Sequence, residues 1–108
     1  MALIRTEAKT PSVKGLISLW NYDTSGIGAV SGVGTATYNN TSTFFIGYVI
    51  TGGSGTITAD TTVNYRGVKA DGTMGASSIN TTFDATGYEG VMIYSGATGS
   101  HTFTYTDT

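Results

Sequence analysis

Apolar and polar residues in this chain alternate one by one in short segments, and glycine-rich breaks end each segment before a helix's length accumulates. Over residues 101–106, His101, Phe103 and Tyr105 alternate with Thr102, Thr104 and Thr106. Successive side chains of a strand point to opposite faces, so this stretch reads as a strand with one buried and one wet face. Over residues 43–51, Phe44, Ile46, Tyr48 and Ile50 fall on one face and Phe45, Gly47 and Val49 on the other. Apolar character on both faces predicts a central strand. Residues 13–22 put Leu16 and Trp20 on one side and Ile17 and Leu19 on the other. No segment repeats at the helical period over a helix's length.

Further strands are expected at 33–38, 56–59, 62–69, 77–83 and 88–95. The stretch 26–34 reads as a loop, Asn39-Asn40 as a turn, and Gly52 to Gly55 as a reversal into 56–59. Asp71-Gly72 is a strong short-range hairpin signal. Gly96-Ala97-Thr98-Gly99 is expected to close a hairpin between 88–95 and 101–106. Seven or eight short strands at this spacing describe an antiparallel β-sandwich, immunoglobulin-like or jelly-roll-like, or a small barrel. Residues 1–12, with Pro11 discouraging regular structure around it, read as an extended N-terminal arm. Residues 13–108 are one β domain, in keeping with a length of 108. Its core is expected to use Trp20, Phe44, Phe45 and Phe103.

Charged residues make up 11% of the chain, against roughly 25% in ordinary soluble proteins. With a formal net charge of −2 and five scattered cations, there is no basic field to hold nucleic acid. The chain has no cysteine, which removes disulfides and thiolate chemistry. His101 is the only histidine, so any triad must use it, and no elbow motif surrounds a serine. The seven carboxylates stand mostly at expected turns, where Asp caps local backbone N–H groups. Asp60 and Asp71 lack the spacing of a calcium loop. Gly26-x-Gly28 has Ser31 where a dinucleotide loop needs its third glycine, and no helix follows. No catalytic, cofactor-binding or metal-ligating residue is assigned, and the chain reads as non-enzymatic. Tyr22, Tyr38, Tyr88 and Tyr94 are the candidate surface-contact aromatics, since an apolar body with a polar tip suits an interface.

The first twelve residues, MALIRTEAKTPS, have no apolar core of signal-peptide length, and the apolar run 44–50 is too short to span a bilayer. The expectation is a chain folded in a host cytoplasm, without a membrane segment. Its surface, rich in Gly, Thr, Ser and Tyr and poor in charge, is nevertheless of the kind exposed outside cells. In these features the chain resembles small virion proteins of tailed bacteriophages, of the head-decoration (cement), head-fibre or tail-surface type. The resemblance covers composition and layout over the whole chain, and no motif carries functional residues across. It implies a structural virion protein that docks on a capsid or tail lattice. The partners would be a major capsid or tail protein, further copies of itself in a homo-oligomer, or both. Leu3, Ile4 and Arg5 of the arm are the candidate assembly contacts. The alternative is a carbohydrate-binding, lectin-like module using exposed aromatics with Asn and Asp.

Overall fold

The computed structural model describes residues 13–22, 30–41 and 43–107. They form eight strands: β1 (Leu16–Asn21), β2 (Val30–Val33), β3 (Thr35–Asn40), β4 (Phe45–Ile50), β5 (Thr56–Val68), β6 (Met74–Asp84), β7 (Gly90–Ser95) and β8 (Gly99–Thr106). Every pairing is antiparallel, and no α-helix occurs among the described residues. The order is β2-β1-β4-β7-β5-β8-β3, with β6 paired to β5 off that path. The expected arm, 1–12, lies outside the described residues.

The long strand β5 organises the molecule. Its second half, Asn64 to Val68, pairs with β7, and its first half, Thr56 to Ala59, pairs with β8. β6 runs along both halves, so β7 and β8 follow one another down the opposite flank of β5. The register breaks between Thr58 and Val63, a bulge that bends the strand. The single array thereby wraps around one core. At its far ends Gly34 joins β2 to β3, donating its N–H to Gly15 O (2.9 Å) and accepting from Tyr105 N (2.9 Å). Its φ of 81° is a left-handed conformation that glycine adopts without steric cost. The strand array is thus nearly barrel-shaped.

The inward face carries Ile17 and Leu19 of β1, Phe45 and Val49 of β4, Val91 and Ile93 of β7, and Phe103 of β8, all fully buried. Ile57 and Tyr65 of β5 complete it. The Tyr65 hydroxyl donates to Thr81 O (3.0 Å), and burial holds its phenol above the ordinary value of 10.0. The other buried polar groups are also paired. Asn40 donates to Ala97 O (2.8 Å) and Thr51 to Tyr88 O (2.6 Å).

The structure alters several expectations. Trp20 and Phe44 are only half-buried, on the outward face. Residues 30–33 of the expected loop form β2, and Asn39-Asn40 continues β3 instead of turning. The strands expected at 56–59 and 62–69 are one strand, because β5 bulges at Asp60 and does not end there. β7 and β8 do not pair with each other: β7 lies between β4 and β5, and β8 between β5 and β3. The Asp71-Gly72 hairpin stands as expected between β5 and β6. Asp71 Oδ1 accepts from Thr73 N (2.9 Å) and Thr73 Oγ1 (2.7 Å), which holds its carboxyl below the ordinary carboxylate value.

Candidate functional site

The two outward faces differ in chemistry, and cross-strand register shows how. On one, Thr35, Thr104, Thr58 and Thr82 line up across β3, β8, β5 and β6. The hydroxyls of Thr37 and Thr102 meet at 2.8 Å and those of Thr35 and Thr104 at 3.3 Å. On the other, Trp20, Ile46, Tyr94, Asn64 and Ile79 form one row across β1, β4, β7, β5 and β6. Ser18, Tyr48, Met92, Arg66 and Ser77 form the next. Directly paired side chains share a face, so the first row is apolar and aromatic apart from Asn64, and the second sets Tyr48 and Met92 among Ser18, Arg66 and Ser77. Yet Tyr22 is 54% exposed, Tyr94 40% and Ile79 72%. Monomeric soluble proteins rarely leave a broad contiguous apolar area open unless it binds something.

An open groove of about 320 Å³ is sunk into this face between β6 and β7. Ile46, Met92 and Tyr94 form one wall and Met74 the other, with Asn64, Arg66 and Ser77 supplying polar atoms between them. Tyr94 is held by its neighbours: its ring stacks on Phe44 (5.1 Å between centroids, 19° between planes), and Tyr22 meets it edge-on (6.2 Å, 89°). Arg66 Nε donates to Gly75 O (2.8 Å), which fixes the guanidinium beside the groove. Arg66 makes no ion pair among the described residues.

Among the four candidate contact tyrosines, the structure brings Tyr22 and Tyr94 together on this face. Tyr38 is a correction: it is 6% exposed and packs against Phe45 in the core, because its alternation with Thr37 and Asn39 turns it inward. Tyr88 is half-buried over Gly67 and Gly75, tilted against Phe83 at 5.7 Å, and also faces away from the aromatic face. Leu3, Ile4 and Arg5 lie outside the described residues. Sequence reasoning missed Asn64, Arg66, Ser77, Met74 and Met92. The alternation Val63-Asn64-Tyr65-Arg66 already sends Asn64 and Arg66 outward, but only the pairing of β5 with β7 sets them beside Tyr94.

His101 occupies a different place. Nδ1 lies 3.0 Å from Asp60 Oδ1 and Nε2 lies 2.8 Å from Thr98 O, while Asp60 Oδ2 accepts from Thr102 N (3.0 Å). Both partners of the ring are acceptors, so the imidazolium satisfies both and a neutral ring satisfies one. The ring lies parallel to Phe45 (6.1 Å, 9°) and its side chain is 13% exposed. This arrangement ties β8 to the bulge of β5. Asp60 is thereby committed to β8 and Asp71 to its own turn. No group of three His, Cys, Asp or Glu side chains among the described residues is placed to hold a metal. No family model, curated protein or solved structure matches this chain.

Proposed function

We propose that this chain is a non-enzymatic structural and binding protein, a surface component of a phage virion that docks on a capsid or tail lattice or on further copies of itself. The observation that carries this reading is the broad aromatic and apolar outward face centred on Trp20, Ile46 and Tyr94, with Tyr22 and Ile79 standing well out of it. Such a face gains by being covered, and repetition on a lattice makes modest single contacts sufficient. The wet threonine face on the other side suits the exterior of an assembled particle. In this reading the strand array is a two-layered sandwich that β5 crosses at its bulge, and the arm, through Leu3, Ile4 and Arg5, adds a second contact to a neighbour's edge.

The test uses the full chain and the double variant Tyr22→Lys/Ile79→Lys. Both positions are exposed, so folding stability should stay within about 0.5 kcal/mol. Wild type should self-associate in sedimentation or be found in purified particles, and the double variant should do neither. Deletion of residues 2–11 tests the arm, and normal assembly without it refutes the anchor. A monomeric wild type that is also absent from particles sinks the reading as a whole.

A second reading, a glycan-binding module, is favoured by one specific observation. The groove sets an ordered, partly exposed tyrosine ring beside three polar side chains, which is what a sugar's apolar face and hydroxyl rim require.

A further inference from the structure

We infer that the groove beside Tyr94 is a binding site for an acidic sugar, a pyranose that carries a carboxylate. The inference rests on the glycan-binding reading, in which this face stands open to a ligand and is not covered by a neighbour. It begins with Arg66. Its Nε is taken by the Gly75 carbonyl, whereas its terminal nitrogens have no partner among the described residues. Those two nitrogens form a planar fork that matches the two oxygens of a carboxylate. The hydrogen bond to Gly75 also holds the fork in one place, so little freedom is lost when a ligand binds. The position is notable in a chain with net charge −2, where the general field disfavours anions and attraction must come from contact with this one group.

The rest of the groove specifies what carries the carboxylate. Asn64 pairs across the sheet with Tyr94 and Ser77 with Arg66. Neither the Asn64 amide nor the Ser77 hydroxyl has a hydrogen-bond partner among the described residues. They are diagonal neighbours across β5 and β6, so they offer donors and acceptors to hydroxyls at separate points of a ring's rim. Met74, Met92 and the Tyr94 ring supply apolar surface for the C–H face of a ring. At about 320 Å³ the groove stands at the lower end of small-molecule sites, ≈ 300–1,000 Å³, a size that suits a mono- or disaccharide.

The chain supplies its own reporters, because its three methionines are Met1, Met74 and Met92 and two of them line the groove. Full-length protein labelled at the methionine methyl carbons is titrated with glucuronate, glucose and acetate while the methyl resonances are followed. Glucuronate should give saturating shifts at Met74 and Met92 with Met1 unmoved, and Arg66→Gln should weaken that binding at least tenfold. Ser77→Ala, a smaller change at an exposed position, should weaken it severalfold with thermal unfolding unchanged. Glucose binding as tightly as glucuronate overturns the acidic assignment while leaving the glycan reading standing. Acetate matching glucuronate overturns the sugar ring and points to an acidic peptide side chain as occupant. Unmoved groove methionines with all three ligands overturn both the inference and the glycan reading.

Discussion

At the scale of single residues, rings and glycines fit together as matched pairs. An added Cβ at Gly67 or Gly75 would meet the Tyr88 side chain, at Gly90 the hydroxyl of Tyr48, and at Gly55 the ring of Tyr105. A flat ring lying across a strand needs the backbone beneath it bare, which ties these four glycines to the aromatic content and not only to turns. Gly67 tests the idea because its φ lies outside the left-handed region, leaving space as the whole issue. Gly67→Ala should destabilise by about 1–3 kcal/mol, the usual effect of overfilling a packed site. In a Tyr88→Ala background the same change should lose most of its effect, since the clashing ring is gone. Urea midpoints of the four proteins close the cycle. An undiminished penalty in the second background would show that the strain lies in the backbone instead.

At the scale of elements, what was legible in the sequence was local. Alternation at 101–106 marks which side chains go inward, apolar character on both faces at 43–51 marks a central strand, and Asp71-Gly72 marks a real hairpin. What was not legible is which strands pair when they are far apart along the chain. Gly96 to Gly99 has the composition of a hairpin turn, yet β7 pairs with β4 and β5, and β8 with β3 and β5. Asp60 reads as a break between strands because its tertiary partners, His101 and Thr102, are more than forty residues away. The candidate site suffered in the same way: Tyr22 and Tyr94 could be named from type alone, but the Arg66 groove exists only through the β5–β7 and β5–β6 registers. The Asp60 contacts define what holds the bulge. Asp60→Ala should destabilise by about 1–3 kcal/mol, because it leaves the Thr102 N–H and one His101 nitrogen without their acceptor. Asp60→Asn retains a side-chain oxygen for one of those donors and should lose less. Denaturation midpoints measure both, and amide exchange at Thr102 should rise in the alanine variant. An unchanged exchange rate at Thr102 would mean that the bulge is held by packing alone.

At the scale of the whole molecule, stability and folding order follow from a chain that has no cysteine and therefore no covalent brace. Its pairings span very different distances. β5 and β6 meet across the short Asp71-Gly72 turn, whereas β3 and β8 bring together Thr35 and Thr104, 69 positions apart. Closing the long loop costs conformational entropy before its contacts can repay it, so the local hairpin should form first and β3 should dock last. Two substitutions separate these stages. Gly72 has a φ of 89° with nothing near an added Cβ, so Gly72→Ala acts through backbone strain in the hairpin alone. Tyr38→Leu thins the packing of buried Tyr38 on Phe45 where β3 closes the core. Each should lower stability by about 1–2 kcal/mol, enough for kinetic analysis. In stopped-flow refolding, on the millisecond-to-second scale expected for non-local β topology, Gly72→Ala should mainly slow folding. Tyr38→Leu should mainly speed unfolding. The reverse assignment would place the β3–β8 closure in the folding nucleus, and the array would then assemble from its two ends inward and not outward from the β5–β6 hairpin.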